Sequence, residues 1–444
     1  MGMAFTDALV EHADVRVALV DRRPGAGGHW LNAYPFVRLH QASLFYGVAS
    51  TRLGGGRIQQ EGPEAGLHER ADQPTIRAYY ADVVDRMTAT GRVEFFPATD
   101  YLGGRVLASL ETGERFEVPE RCRVVDARYL APDIPAETPP RFEVSDGARV
   151  VPVNELPAIE DSPSQYVVAG SGKTATDAIV WLLQRGADPD SICWVRPRDP
   201  WMLNRARVQP DPVVFIGMVA DVMCAAEVSR TLPELFERLE ELGVMLRVDR
   251  SVVPTMAKTP TLAEWELDLL RSIENVVRLG HVESVRRGRI DLTDGSVAVA
   301  DDAVVVHCTS EGTRTPPLKP IWGEEGVTLL PVRAGFPCFG AALTGYVEAT
   351  RSDDAEKNRL CPPSTYGNSL ADWALMNVQG ARSVASFRSE PDVRAWSDAL
   401  ALNPARVSPE AVGSPELDHV LQQVQAHGRA GVEGLARLSA MPVG

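Results

Sequence analysis

The chain has 444 residues, 44% of them hydrophobic and 24% charged, the composition of a globular protein with chain enough for about two or three domains and their cores. Its formal net charge of −15 excludes a nucleic-acid binder, which needs basic patches against phosphates, and the lack of any apolar run near the roughly 18 residues of a span excludes a membrane-spanning partner role. Six scattered cysteines with no C-x-x-C pair, and histidines that do not cluster, argue against a zinc ribbon, a thioredoxin-type couple or any metal site, and fit a reducing cytoplasm.

No basic stretch followed by an apolar one opens the chain, so no signal peptide is expected. Ala4, Phe5, Ala8 and Leu9 instead recur at helical spacing. A strand is predicted over Val15–Val20, ending at Asp21, with Arg22 next. Helix, strand and terminal acid make the latter part of a dinucleotide fold, in which an acid about 20 residues after a glycine turn accepts hydrogen bonds from a ribose. Asp21 stands 19 positions after Gly2. Gly2 therefore reads as the third glycine of a motif whose first two glycines and preceding strand are absent. One explanation is a start assigned roughly ten to twenty residues late, a gap that a ~6-residue strand and the head of the motif would fill. The others are a true truncation that has lost ligand affinity, and a plain helix–strand unit in which Gly2 is incidental.

The next segment runs Gly27-Gly28-His-Trp30, then Tyr34-Pro-Phe-Val-Arg38-Leu-His40-Gln41. Paired glycines let backbone approach a flat ring closely. Trp30 offers an aromatic face and one N–H donor, and Arg38 and His40 are polar groups that can tune a bound ring. Core packing under a loop is the plainer reading of Trp30, Tyr34 and Phe36, as a satisfied histidine is of His40.

Residues 166–198 carry the complete motif. Val167–Ala169 predicts a strand, and Gly170-Ser171-Gly172-Lys173-Thr174-Ala175 is G-x-G-x-x-A. Ala178, Ile179, Trp181, Leu182 and Leu183 keep helical spacing to a stop at Gly186, and Ser191–Val195 is a second strand. Gly170 permits the tight turn, Gly172 leaves room for a pyrophosphate, and Ala175 lets the helix pack close. The helix N-terminus presents free N–H groups and a positive dipole end to phosphate, to which Lys173 and Thr174 add a charge and a hydroxyl. Lys173 is one of only four lysines, with Lys258, Lys319 and Lys357. An acid at the end of the second strand would favour NADH, whereas Arg196 and Arg198 stand there and point to NADP(H). An ordinary tight turn and two solvated arginines are the plain alternatives.

Further on, a helix is expected around Thr261–Ile273, then short strands and a turn at Asp294-Gly295. Asp301–Thr309 reads as an acid-led strand followed by a small-residue turn at Ser310-Glu-Gly312, returning the chain to the first domain. The charged stretch Arg351–Pro363 reads as a solvated helix start, with a substrate entrance as the other reading. Residues beyond Glu390 read as a helical cap without chemistry.

The 27–46 segment resembles flavin-containing and Baeyer–Villiger monooxygenases, which carry a G-G-x-W segment followed by Y-P-x-x-R. The resemblance covers roughly residues 1–50, 165–205 and 300–350. It implies an α/β fold of two nested Rossmann-like dinucleotide-binding domains, the FAD domain (1–160 and 301–390) interrupted by an NADPH domain (161–300), with a helical cap at 391–444. It also implies that Asp21 and Arg22 face the adenosine end of FAD, and that Gly28, Trp30, Arg38, His40 and Gln41 approach the flavin or the linking phosphates. The family's F-x-G-x-x-x-H-x-x-x-W fingerprint is missing, since Val151–Gln165 contains no histidine. The expectation is an FAD- and NADPH-dependent, monooxygenase-like oxidoreductase acting on a small organic molecule, compatible with an oligomer. The competing expectation is an NADP(H)-binding sensor or relic that has lost flavin and turnover, and a weaker one is a flavin reductase or amine-directed oxidase. No catalytic acid or base is identified.

Overall fold

The computed structural model describes residues 1–309, 312–313, 317–333 and 335–440. It is a mixed α/β structure of several sheets and helices. The opening helix, Gly2–His12, buries Ala4, Phe5, Ala8 and Val10, while Leu9 of the expected stripe packs half-buried on the same core. The helix Pro337–Thr350 lies directly against it. Gly345 makes that contact possible, because any side chain there would collide with the carbonyl of Phe5. The strand Val17–Val20 follows, two residues shorter than expected, and pairs in parallel with Val93–Phe96, Val17 opposite Val93 and Val20 opposite Phe96. Among the described residues no further strand joins these two. The helix Gln73–Ala89 packs against the second of them. It starts where the Asp72 carboxylate accepts the Thr75 N–H at 3.0 Å, an N-cap that satisfies one of the helix's free donors.

The second unit is a five-stranded sheet, parallel throughout, in the order Val276–Val277, Ile192–Val195, Tyr166–Ala169, Val304–His307, Arg149–Pro152. Its central strands are apolar runs with almost every residue buried, as expected of parallel strands covered on both faces. The sheet takes in strands on either side of the expected 161–300 segment. Val304–His307, expected to return the chain to the first domain, pairs with strands on both sides of the expected boundary at 160/161. It inserts between Tyr166–Ala169 and Arg149–Pro152, because a four-residue apolar strand buries both faces best at the centre of a sheet. The turn expected after it falls on Ser310 and Glu311, outside the described residues. The chain rejoins the first unit later, where Gly326–Thr328 pairs in parallel with Val125–Asp126 and the Pro337–Thr350 helix docks.

A smaller sheet, Met245–Leu246, Pro200–Asn204 and Met256–Leu262, extends the second unit. The helix expected around Thr261–Ile273 is Glu264–Arg271, its start taken over by that last strand. The turn at Asp294-Gly295 closes the hairpin of Arg289–Leu292 with Gly295–Ala298. The cap is helical, and its long helix, Pro415–Ser439, lies along Pro212–Val228 at Gly431 and Gly434, where a side chain would meet the Met223 and Ala226 backbone. No helix among the described residues is long and apolar enough to cross a membrane.

Candidate functional site

The complete glycine motif forms a strand-to-helix corner. Tyr166–Ala169 leads through Gly170 and Ser171 to Gly172, the N-cap of the helix Lys173–Gln184. Gly170 has φ +136°, and a Cβ there would stand 3.3 Å from the Cys308 carbonyl oxygen of the neighbouring strand. Only glycine meets both conditions without strain. Gly172 is different: a Cβ would meet nothing within 4 Å, so its lack of a side chain is not required by the protein's own packing. Ala175 is fully buried beneath the helix. No side chain caps this helix, which leaves N–H groups at its first turn facing outward. The corner is braced from behind by the Trp194 indole, which donates to the Gly170 carbonyl at 2.7 Å.

The side chains of the motif are engaged elsewhere. Lys173, expected to add a charge for a phosphate, donates to Asp177 one turn on and reaches Glu266 at 3.4 Å. Thr174, expected to add a hydroxyl, lies by the Tyr34 hydroxyl. Tyr34 donates to Asp177 at 2.6 Å, and burial, reinforced by that carboxylate, pushes its phenol well above the ordinary range. The two arginines at the end of the Ile192–Val195 strand also separate. Arg196 is 1% exposed, lies over the Trp194 ring at 4.3 Å and pairs with Asp199 at 2.9 Å; burial lowers it to about 10. Arg198 is exposed and close enough to Lys258 to help burial hold that ammonium down at about 8.

The first corner is built around the start of the Gly2–His12 helix. The N-terminal amino group is felt by Asp21, His29 and Cys338 alike, so strand tip, Gly27–Trp30 turn and helix start converge on one place. Asp21 stands immediately after its strand and accepts the Arg23 N–H at 2.9 Å; burial raises its carboxyl against the pull of Arg23 and Arg22. Gly27 and Gly28 have φ of +120° and +57°. Arg22, expected at an adenosine, pairs with Glu137 at 3.3 Å, beside Arg23 at 2.8 Å. Trp30 is buried and donates to the Tyr46 hydroxyl at 2.7 Å. Burial and Arg23 hold His29 down at about 4.

The loop 34–41 joins the two corners. The His40 carbonyl accepts from Arg205 Nε at 3.1 Å and from the Thr261 hydroxyl, and Gln41 donates to the Gly335 carbonyl at 3.0 Å. His40 Nδ1 is buried and has no partner. Burial, with Lys173, Arg205 and Arg70 around it, lowers its imidazole to about 3, so it is neutral at pH 7. Behind it runs a chain of ion pairs that sequence reasoning missed: Arg70 with Glu64 at 2.7 Å, Glu64 with Arg205, and Arg205 with Glu266 at 2.7 Å. Burial alone would raise Glu266; Lys173 and Arg205 overcome it and hold the carboxyl at about 2. The members of this chain of pairs meet across up to 141 positions, a separation that no local pattern encodes. Arg38 lines a cavity of about 260 Å³ beside this seam. Among the described residues no group of three or more His, Cys, Asp or Glu could hold a metal ion.

No protein-family model matches the chain. It is 38% identical over 407 residues to the uncharacterized protein Rv2000 of Mycobacterium tuberculosis (strain ATCC 25618 / H37Rv), covering 91% of this chain and 75% of that one. The match to the uncharacterized protein Mb2023 of Mycobacterium bovis has the same extent. Among solved structures it is similar to cyclohexanone monooxygenase from Rhodococcus sp. Phi1 bound to NADP+, at 14% identity and a TM-score of 0.46 over 97% of this chain and 96% of that one. It is also similar to the FAD-bound cadaverine monooxygenase DfoA of Erwinia amylovora, at 12% identity and a TM-score of 0.43 over 80% and 95%.

Proposed function

The chain belongs to the family of the mycobacterial protein Rv2000, and for it we propose an oxidoreductase that binds NADPH at the 170–198 corner and FAD at the first corner, and acts in monooxygenase fashion on a small organic substrate. One observation carries this reading: Gly172 faces open space at an uncapped helix start, beside a Gly170 that the fold itself requires. A glycine that packing does not need, placed where N–H groups point outward, is what a diphosphate needs.

In this reading the main chain of Gly170, Ser171 and Gly172 and the first N–H groups of Lys173 and Thr174 hold the nicotinamide diphosphate, and Ala175 keeps the helix close. Arg198 takes the 2′-phosphate, with Arg196 supporting the loop from beneath. Asp21 accepts from the FAD ribose, the helix start at Gly2 meets its phosphates, and Gly27, Gly28, Trp30, His40 and Gln41 form the flavin side. The first corner fits such a group through its strand-tip acid, its left-handed glycine pair and the orphaned His40 Nδ1. When bound, the two cofactors supply hydride transfer and delivery of electrons to oxygen. The protein's own groups orient and enclose them: neutral His40 offers a ring nitrogen without charge, and the Tyr34–Asp177–Lys173 contacts fix the loop against the NADPH helix.

Purified protein tests this directly. The expected result is a yellow protein that retains FAD through gel filtration, is bleached by NADPH at least tenfold faster than by NADH, and consumes oxygen when both are present. A colourless protein that takes up no added FAD and leaves NADPH unoxidised overturns it.

A further inference from the structure

On the flank of the Lys173–Gln184 helix, one to three turns beyond the diphosphate corner, lies the cavity of about 260 Å³. One wall is aromatic: Phe36 and Trp181 stack with ring centroids 5.0 Å apart and planes 25° from parallel, and Trp265 faces the same space. The charged lining is almost fully compensated. Glu64 is held by Arg70 and Arg205, Glu266 by Arg205 and Lys173, and Asp177 by Lys173 and the Tyr34 hydroxyl. Arg38 is the exception. It is exposed to the cavity, and among the described residues its guanidinium has neither a hydrogen bond nor an ion pair. The Asp72 carboxylate feels its charge from a distance but is already the cap of its own helix.

An unanswered guanidinium beside stacked rings selects a particular chemistry. Its fork of N–H donors matches a carboxylate bidentately, and a ring stack favours a flat apolar body. The volume lies below the roughly 300–1,000 Å³ of drug-sized pockets, which limits the body to one or two rings. The three carboxylates do not attract a cation, because each is already paired. We propose that this cavity binds a small planar aromatic carboxylate, its anion on Arg38 and its ring against Phe36 and Trp181. The proposal does not depend on the redox reading, since no atom of the diphosphate corners takes part.

The test is isothermal titration of the full chain, without added nicotinamide or flavin. The probes are benzoate and indole-3-acetate, set against benzyl alcohol and benzylamine. Both carboxylates are expected to bind saturably and at least tenfold tighter than the alcohol, with benzylamine silent. Arg38→Met is expected to weaken benzoate at least tenfold while the melting temperature stays put, because Arg38 holds nothing in the protein. Trp181→Leu is expected to weaken indole-3-acetate more than benzoate. Carboxylates that bind no tighter than the alcohol, benzylamine that competes with benzoate, or an Arg38→Met protein that binds benzoate like the parent would each overturn the proposal. Loss of NADPH oxidation in the parent protein would leave it standing.

Discussion

Gly170 and Gly172 are two positions apart and look alike in the sequence, yet replacing each with alanine should have opposite effects. Gly170→Ala places a side chain at φ +136°, where an L-residue carries strain of about 1–3 kcal/mol. It also sets a methyl 3.3 Å from the Cys308 carbonyl oxygen, a backbone atom immediately past the end of the central strand Val304–His307. For a unit of this size each kcal/mol moves the midpoint by about 2–4 °C, so the melting temperature should fall by roughly 2–12 °C. Gly172→Ala enters ordinary extended backbone, φ −89° and ψ −179°, with nothing within 4 Å. Restricting the unfolded chain there stabilises by about 0.4–1 kcal/mol. The same methyl stands where the diphosphate should lie, so NADPH affinity should fall at least tenfold, or about 1.4 kcal/mol. Thermal melts followed by tryptophan emission, together with NADPH fluorescence titrations, read both quantities. The reasoning fails if Gly172→Ala melts as low as Gly170→Ala, or if it binds NADPH like the parent.

Three further outcomes are expected. Arg198→Gln should weaken NADPH about tenfold and leave NADH within about twofold, one charge-assisted phosphate contact being worth about that much; equal losses for both nucleotides would place the 2′-phosphate elsewhere. Lys173→Met should lower the melting temperature while leaving the NADPH dissociation constant within about twofold, because Lys173 pairs with Asp177 and Glu266; a tenfold loss of affinity at unchanged stability would return it to the phosphate. The third outcome concerns pH. His40 is held at about 3 in the fold by burial and three cations, against about 6.5 when unfolded, so below pH 6.5 the unfolded chain takes up the proton first. Stability should therefore decline as pH falls from about 6.5 toward 3, by up to ~1.4 kcal/mol per unit for this one group. Urea midpoints of His40→Gln should fall less steeply than those of the parent over that range, and parallel lines would refute the assignment.

What the sequence revealed depended on how local the cause was. The strand–turn–helix–strand at 166–195 was legible because glycine spacing and helical periodicity act within a few residues, and its bounds hold to within a residue or two. The opening helix and the acid at Asp21 were legible for the same reason. The strand Val304–His307 was legible as a buried strand, but its neighbours Arg149–Pro152 and Tyr166–Ala169 were not, because an apolar run shows that a strand is buried and not which strands flank it. The candidate side chains followed the same rule. Gly170 and Gly172 occupy the turn and helix-start positions that the motif encodes, whereas Lys173, Arg22 and Arg196 take partners, Glu266, Glu137 and Asp199, that folding supplies. Of these only Asp199 is near in sequence, three positions after Arg196.

The network at the seam explains why these charges are turned inward. Among these contacts Glu64–Arg205 and the Tyr34–Asp177 hydrogen bond join the 34–70 segment to the 173–266 segment, while Arg70–Glu64, Arg205–Glu266 and Lys173–Asp177 each stay within one segment. Removing one partner of a buried pair leaves an uncompensated charge and costs about 3–5 kcal/mol. A relative shift of the two segments would break the Glu64–Arg205 pair and leave both charges buried. The seam is thus held by side chains, whereas the strand-to-helix corner at Gly170–Gly172 is shaped by main chain and glycine. Arg38 and Arg198 stand outside this network, exposed and with no carboxylate bonded to them among the described residues.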